Sequence, residues 1–367
     1  MKKCKPVSWV TTRNLIVCLF AVLAITVQLS AQTIITFDAP GAGTATAQGT
    51  EPTGINVFGQ ITGMYTDSNY VWHGFLRAPN GTFTTFDAPG AGTGKYYGTF
   101  AYGPNQEGTI AGYFSDSNAV YHSYLRAPDG TITTFDAPGA GTGFAQGTAA
   151  ESINDFGEIE GLYVDASNVS HGFLRSPDGH FTRVDPKGST GTYTNTFSGL
   201  NDFGAMNGAY NDANGVSHGF VRAPDGTITT INVKGAGTGS GQGTYTASIN
   251  ILGVNAGGYT DSNNVTHGFV ITAKGVITKF DVTGEGTGSG QGVFPSNIND
   301  LGAITGNYAD VSNLSHGFVR APGGTITKFD VPGAAQGTYP YSNNFWGAIT
   351  GLWYDPNGVF HGFLRQP

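Results

Sequence analysis

The chain repeats itself. A His-Gly-Phe tripeptide, or a close relative of it, recurs seven times at intervals of 45 to 49 residues. Its histidines are His73, His122, His171, His218, His267, His316 and His361. A period of about 40 to 50 residues is typical of propellers and solenoids, in which each repeat buries its apolar surface only against its neighbours. We therefore expect the whole molecule to be one array of seven units.

Three turns divide each repeat into four segments. The first turn is Asn-x-x-Gly, as at Asn56 to Gly59; the second opens with an aspartate, as at Asp355; the third is of the Ala-Pro-Asp-Gly type, as at Ala127 to Gly130. Such residues suit a type I turn closed by a left-handed residue, which joins two antiparallel strands. The segments between the turns are rich in aromatic and β-branched residues, as strands are. Three hairpins make four antiparallel strands in each unit.

The two ends of the chain complement each other. The last unit stops at Pro367, after its third strand, and lacks the Thr-Ile-Thr-Thr-Phe-Asp strand that follows in other units. A matching segment, Ile34 to Asp38, stands near the start instead. We predict an all-β fold, a seven-bladed β-propeller of four-stranded antiparallel blades, in which the N-terminal strand completes the last blade and closes the ring. Closure would also remove an exposed strand edge.

Residues 1–31 have the pattern of a secretory signal peptide. A basic start precedes an apolar run from Leu15 to Val27, and the segment ends in Leu-Ser-Ala, which suits a signal peptidase. The mature domain is then residues 32–367, expected to be extracellular or periplasmic and to lack a membrane span. Both cysteines, Cys4 and Cys18, leave with the signal, so the mature chain has no disulfide. Losing four basic and no acidic residues takes the formal net charge from −8 to −12, which disfavours nucleic acid.

The repeats resemble a known family. Their Ile-Asn-x-x-Gly, Gly-x-Tyr and His-Gly-Phe-Leu-Arg elements are similar to those of the bacterial extracellular repeat family named for its His-Ala-Phe tripeptide. The resemblance covers essentially all of the mature sequence. This chain differs in using His-Gly-Phe for His-Ala-Phe, and His122-Ser123-Tyr124 once. The resemblance implies an extracytoplasmic location. It implies no established activity and no catalytic residue.

The turn positions predict a row of side chains across each unit. If Asp67 stands opposite Val71, then Tyr65 faces His73, and the third turn places His73 opposite Asp87. The row recurs in the other units, with Asn232 in place of the aspartate in the fourth and Asp38 completing the seventh. A His–Asp pair can be half of a catalytic triad, but no serine or cysteine recurs beside it. We interpret the pairs as a buried structural network between the third and fourth strands.

Continuing this register inward reaches the first strand, which lines the channel of a propeller. It selects one variable position in each unit: Glu51, Phe100, Ala149, Thr196, Tyr245, Phe294 and Tyr339. These positions lie toward the face that carries the glycine-rich loops between units. Together with polar residues nearby on the same strands they define the candidate ligand-binding residues, which are Glu51, Phe100, Tyr102, Glu151, Tyr245, Phe294, Tyr339 and Tyr341. Aromatic, hydroxyl and amide groups suit a neutral polar ligand such as a glycan, or a protein surface.

Two functions fit this surface. The first is a secreted, monomeric, non-enzymatic binding or scaffold module. The second is a propeller-type glycoside hydrolase or polysaccharide lyase with one site at the channel mouth. A hydrolase needs two carboxylates that flank the scissile bond, and Glu51 and Glu151 belong to the first and third units, so we do not expect them to be neighbours. The sequence favours the non-enzymatic module, with no cofactor and no metal. The turn aspartates lack the dense Asp-x-Asp-x-Asp spacing of calcium loops.

Overall fold

The computed structural model describes residues 32–194 and 199–367. These residues form 28 β-strands and no helix. The described part of the chain therefore contains no membrane-spanning helix. They form the compact unit Thr33–Pro367, built from repeated four-stranded antiparallel sheets. The predicted signal peptide, residues 1–31, lies outside the described residues.

The strands are numbered β1 to β28 along the chain. The first strands of the sheets are β2 (Gly49–Ile55), β6 (Gly98–Pro104), β10 (Gly147–Ile153), β14 (Gly191–Thr194), β18 (Gly243–Ile249), β22 (Gly292–Ile298) and β26 (Thr338–Asn343). The second strands are β3 (Ile61–Thr66), β7 (Ile110–Ser115), β11 (Ile159–Val164), β15 (Met206–Asn211), β19 (Asn255–Thr260), β23 (Ile304–Ala309) and β27 (Ile349–Tyr354).

The outer two strands of each sheet complete the set. The third strands are β4 (Trp72–Arg77), β8 (Tyr121–Arg126), β12 (Ser170–Arg175), β16 (Ser217–Arg222), β20 (Thr266–Ile271), β24 (Ser315–Arg320) and β28 (Phe360–Gln366). The fourth strands are β5 (Phe83–Phe86), β9 (Ile132–Phe135), β13 (Phe181–Val184), β17 (Ile228–Ile231), β21 (Ile277–Phe280), β25 (Ile326–Phe329) and, from the start of the chain, β1 (Thr33–Phe37).

The hairpin turns form as their sequences predict. Asn56 Oδ1 accepts the backbone amides of Phe58 (3.1 Å) and Gln60 (3.0 Å). Gly59 closes this turn at φ +79°, a left-handed conformation that favours glycine. In the second turn the Asp67 carboxylate accepts two backbone amides in the same way. Side-chain acceptors of this kind fix each turn locally, and the strands on either side are therefore forced into antiparallel pairs.

The N-terminal strand completes the last sheet. β1 pairs antiparallel with β28, from Thr33 opposite Gln366 to Phe37 opposite Gly362. The predicted pairing of the two chain ends is confirmed for this sheet.

The first-turn asparagines join each unit to the next. Every one of them is at least 94 % buried, and its Nδ2 donates to the backbone carbonyl of its counterpart in the following unit. The series runs Asn56, Asn105, Asn154, Asn201, Asn250, Asn299 and Asn344. Asn344 Nδ2 then donates to Asn56 O (3.0 Å), so the first and last units are in direct contact.

Apolar and cation–π contacts pack neighbouring sheets together. The third residue of each histidine tripeptide is almost completely buried; Phe75 and Phe318, for example, are 0 % exposed. At the end of β4 the Arg77 guanidinium lies 4.7 Å from the centroid of the Phe37 ring, which belongs to the fourth strand of the preceding sheet. Arg126 covers Phe86 in the same way at 4.9 Å. Such stacking stabilises the sheet-to-sheet contact.

The predicted register is wrong by one residue on the first strand. A β-bulge between Pro52 and Gly54 places Glu51 opposite Met64, and Thr50, not Glu51, opposite Tyr65. A bulge adds one unpaired residue and so shifts every later pair by one. In the fourth unit the predicted Thr196 lies outside the described residues, and the position that corresponds to Glu51 is Tyr193, opposite Ala209.

Candidate functional site

Aromatic side chains form a continuous band at the starts of the first strands. Successive ring centroids lie 4.7 to 6.0 Å apart, within the range in which aromatic pairs attract. We call this group the aromatic belt; its members are Tyr339, Tyr354, Phe360, Trp72, Phe100, Tyr113, Tyr102 and Tyr121. They come from the last, first and second units, so the belt occupies one side of the array.

Backbone pairing between sheets brings the belt together. The first residue of a first strand pairs in parallel with the first residue of the third strand in the preceding unit, as Gly98 does with Trp72 and Gly49 with Phe360. A Cβ atom on Gly98 would lie 1.9 Å from Trp72 O, so only glycine permits this approach. The pairing sets Trp72 beside Phe100, two residues beyond Gly98, with ring centroids 5.6 Å apart.

Glu51 lies among the tyrosines of the belt. Protein surrounds its carboxyl group, and this burial raises its pKa to about 7, although the side chain keeps some access to water. Burial is also the main reason that the pKa values of nearby tyrosines are raised, and the charge of Glu51 adds to the effect in Tyr102, Tyr113, Tyr341 and Tyr354. Because this pKa lies near neutral pH, both the protonated and the ionised form of Glu51 are accessible, and the carboxyl group can either donate or accept a hydrogen bond.

Glu151 adds a second carboxyl group to this region. Thr194 Oγ1 donates to Glu151 Oε2 (2.6 Å), and burial raises the pKa of Glu151 to about 7. Its charge contributes, after burial, to the raised pKa of Tyr102, which also feels Glu51. The two glutamates, from the first and third units, thus act on the same tyrosine, but among the described residues no hydrogen bond links them.

The fully buried Glu160 lies near Glu151. Its pKa is raised well above the ordinary value, first by burial and then by the charge of Glu151. Burial therefore favours the protonated form of Glu160 more than it would be favoured in an exposed glutamate.

The structure unites most of the residues selected from the sequence. Phe100, Tyr102 and Tyr339 belong to the aromatic belt, and Glu51 and Tyr341 are coupled electrostatically. Tyr245 and Phe294 lie on the first strands of the fifth and sixth units and make no ring contact with the belt among the described residues. Burial raises the pKa of Tyr245.

Sequence reasoning missed the belt residues that lie outside the first strands. These are Trp72, Tyr113, Tyr121, Tyr354 and Phe360. A usable signal was present in the residue that precedes each histidine. It is aromatic in the last, first and second units, whereas the other four units have serine or threonine there. Neighbouring units with aromatics at one repeat position indicate a local cluster rather than scaffold.

The predicted histidine rows form, but most of them are not buried; His171, at 6 % exposure, is the buried one. His73 Nδ1 lies 2.8 Å from Asp87 Oδ1, and its ring stacks on Tyr65 at 5.0 Å. Corresponding bonds join His122, His171, His267, His316 and His361 to their aspartates, and His218 to Asn232. Water reaches most of them, since the His73 and Asp87 side chains are 22 % and 55 % exposed. The hydrogen bond to Asp87 is the main cause that raises the pKa of His73.

One histidine row has additional ligand chemistry. His267, Asp281 and Glu285 offer ligand atoms that all lie within 4.8 Å of one another. Each already has a protein partner, because His267 Nδ1 bonds to Asp281 Oδ1 (2.8 Å) and Glu285 accepts the amide of Val282 (2.8 Å). The group is therefore explained by the hydrogen-bonded row.

Comparison with known proteins identifies the class of fold. No protein-family model matches the chain, and no curated protein matches it by sequence. By structure it is similar to a catalytically inactive variant of virginiamycin B lyase from Staphylococcus aureus, with 14 % identity, a TM-score of 0.60, and coverage of 92 % of this chain and 100 % of that chain. It is also similar to the β-propeller domain of the Trilobed protease from Pyrococcus furiosus, with 10 % identity, a TM-score of 0.57, and coverage of 88 % and 94 %.

A third structural match is the BP39L lectin from Burkholderia pseudomallei, with 10 % identity, a TM-score of 0.54, and coverage of 83 % of this chain and 91 % of that chain. At such identities the likeness concerns the fold alone. The chain has a β-propeller fold.

Proposed function

We propose that this protein is a secreted, non-enzymatic β-propeller that binds a glycan at the aromatic belt beside Glu51. The observation that carries the proposal is a group of eight contacting aromatic rings beside Glu51, whose pKa is about 7 and whose charge acts on three tyrosines of the group, Tyr102, Tyr113 and Tyr354. Aromatic faces stack on the apolar faces of sugar rings, while tyrosine hydroxyls and a carboxyl group that titrates near neutral pH can act as hydrogen-bond donors or acceptors to sugar hydroxyls. Recognition sites commonly combine apolar walls with a few convergent polar groups.

The architecture behind this site is a closed ring of seven blades. Two observations support closure: β1 pairs with β28, and the asparagine series returns from Asn344 to Asn56. A closed ring would hold the last, first and second units in fixed positions, and the belt spans that junction. Preorganised aromatic rings lower the entropic cost of binding.

Secretion and a monomeric state belong to the same proposal. The signal-peptide pattern of residues 1–31 and the resemblance to the His-Ala-Phe repeat family favour an extracellular or periplasmic location. An extracytoplasmic protein meets cell-surface and matrix glycans. Lectins occur among proteins of this fold, which is compatible with the proposed role.

A glycan array with residues 32–367 tests the proposal. We expect binding to a limited set of neutral glycans, weakened at least tenfold by Tyr354→Ala and altered by Glu51→Gln. Tyr193→Ala is the matched control, because Tyr193 is 44 % exposed on a first strand outside the belt. No bound glycan, or equal losses in the control and belt variants, would reject the proposed site. Binding to a protein surface would instead appear as capture of a protein partner that the Tyr354→Ala variant also loses.

An enzyme is the second candidate, favoured by one observation. Glu51 and Glu151 both have pKa values of about 7, which suits general acid or base catalysis near neutral pH. The assay is incubation of the protein with polysaccharides, followed by detection of new reducing ends or unsaturated sugars. Products that disappear with Glu51→Gln would establish the enzyme and replace the binding proposal.

A further inference from the structure

The first turns carry exposed apolar side chains on the face opposite the inter-unit loops. The third residue of six of the seven Asn-x-x-Gly turns is large and apolar, and each of these side chains is 57 to 69 % exposed. We call this group the apolar crown; its members are Phe58, Phe156, Phe203, Leu252, Leu301 and Trp346. The second unit has Glu107 at this position.

The turn itself does not require these residues. In the turn at Asn250 the asparagine side chain accepts the amides of Leu252 (3.1 Å) and Val254 (3.0 Å), and the Leu252 side chain takes no part. The second unit forms the same turn around Asn105 with Glu107 at the crown position. An exposed phenylalanine or tryptophan therefore contributes little to folding here, and several large apolar side chains exposed on one face indicate an interaction site.

A cavity of about 160 Å³ opens inside the crown. Residues from all seven units line it, and they include the residue directly before each crown residue. Three of the lining residues are Asp155, Asp202 and Asp300, and none is lysine, arginine or histidine. We call this space the axial cavity. Among the described residues, the side chains that line the axial cavity therefore carry negative charge and no positive charge.

Backbone amides hold the three carboxylates in place. Asp155 Oδ1 accepts the Gln106 amide (2.7 Å), Asp202 Oδ1 the Asp155 amide (2.9 Å) and Asp300 Oδ1 the Ile251 amide (2.9 Å). Burial and mutual repulsion raise the pKa values of Asp155 and Asp202, burial being the larger cause. A cation between them would relieve this repulsion.

We propose that the apolar crown is a docking surface for a polypeptide segment that inserts a lysine or arginine side chain into the axial cavity. The long apolar stem of such a side chain would pass between the crown residues while its charged end reaches the aspartates. Apolar neighbours in the segment would cover Phe156, Phe203 and Trp346. A second copy of this chain would bring the same acidic mouth against itself, and an anionic membrane would be repelled. This surface is independent of the glycan site proposed at the aromatic belt.

Selection from a random heptapeptide library displayed on phage tests the proposal, with residues 32–367 as the target. We expect the enriched peptides to combine a basic residue with apolar neighbours. Synthetic copies should bind at least tenfold more weakly to a Phe156→Ser/Phe203→Ser variant and to an Asp155→Asn/Asp202→Asn variant. Added salt should weaken binding, since the charges are partly exposed. The matched control is Phe144→Ser, because Phe144 is a 77 % exposed phenylalanine on an inter-unit loop.

Three outcomes would overturn the proposal. The selected peptides could show no enrichment for basic and apolar residues. They could bind the Phe156→Ser/Phe203→Ser variant as tightly as the native protein, or they could bind the Phe144→Ser control as weakly as that crown variant. Sedimentation velocity and phosphatidylglycerol vesicles cover the other occupants. A crown-dependent dimer or crown-dependent vesicle binding would assign the surface to a second copy or to a membrane. Unchanged melting temperatures of the variants verify that a loss of binding is not a loss of fold.

Discussion

Replacing Asn344 with alanine should weaken the junction between the last and first units. Its Oδ1 accepts the amides of Trp346 (3.1 Å) and Ala348 (3.0 Å), and its Nδ2 donates to Asn56 O (3.0 Å). A net value of about 1 kcal/mol for each bond gives a loss of about 3 kcal/mol. With an unfolding entropy of about 2.1 cal/mol/K per residue over roughly 335 residues, this corresponds to a fall of about 4 °C in Tm.

The matched control removes a turn acceptor whose side-chain hydrogen bonds lie within its own turn. Asp355 accepts the amides of Asn357 (2.8 Å) and Val359 (2.9 Å) in the second turn of the same unit, near water. We expect Asp355→Ala to cost only about 1 kcal/mol in total, because water can replace the carboxylate at this partly exposed turn and lowers the net value of each bond. Asn250→Ala, inside the array, should cost as much as Asn344→Ala, because it loses the corresponding three bonds. Scanning calorimetry measures all three. If Asn344→Ala cost no more than Asp355→Ala while Asn250→Ala cost 3 kcal/mol, the closed ring would be refuted.

Three further predictions concern the ends of the chain and the titrating groups. Removing residues 32–38 takes away β1 and should lower Tm by several degrees in calorimetry, and an unchanged Tm would contradict closure of the ring. Burial raises the pKa of Glu51 and Glu151 to about 7, so the folded state retains protons that the unfolded state releases above about pH 4.5, and the free energy of unfolding should fall as pH rises from about 4.5 to about 7. Urea unfolding at pH 5 and pH 8 should show a smaller fall for the Glu51→Gln/Glu151→Gln variant than for the native protein. An equal fall in both proteins would disprove this prediction. The His73–Asp87 pair should stabilise the fold at mildly acidic pH and lose this effect as pH rises through the raised pKa of His73. Because the hydrogen bond to Asp87 is the main cause of that raised pKa, NMR titration should find the pKa of His73 lowered in the Asp87→Asn variant. An unaltered pKa would count against the pair.

Much of the fold could be predicted because each repeat contains recognisable turn residues at corresponding positions. The Asn56 and Asp67 side chains bind backbone amides within four residues, so local sequence alone determines where the strands reverse. With two turns located, the pairs Tyr65–His73 and His73–Asp87 follow by counting. Their exposure did not follow, because burial depends on how the sheets pack and not on the register within one sheet.

The first strand shows where counting fails. The bulge between Pro52 and Gly54 changes the cross-strand partner of Glu51. The turn residues from which the register was counted do not indicate this bulge. Spacing is also longer in the fourth unit, where Gly191 and Asn201 are ten residues apart rather than the seven that separate Gly49 and Asn56, so a fixed offset selected Thr196 instead of Tyr193. Register arithmetic is reliable only as far as the nearest insertion.

The candidate site was harder to predict than the fold because it is assembled across units. Phe100 and Tyr339 are visible as aromatic residues on first strands, but Trp72 and Phe360 reach the same place from third strands of other units. That convergence depends on the parallel contact at Gly98, which is a property of the packed array. The apolar crown was present in the sequence as a repeated position, and its significance came from exposure.

A crystal structure of residues 32–367 soaked with the glycan that binds best on the array would test the proposed glycan site. We expect density for a sugar ring stacked on the aromatic belt, with a hydroxyl group within hydrogen-bond distance of the Glu51 carboxyl group. Density on the inter-unit loops away from the belt, or on the opposite face at the axial cavity, would contradict it.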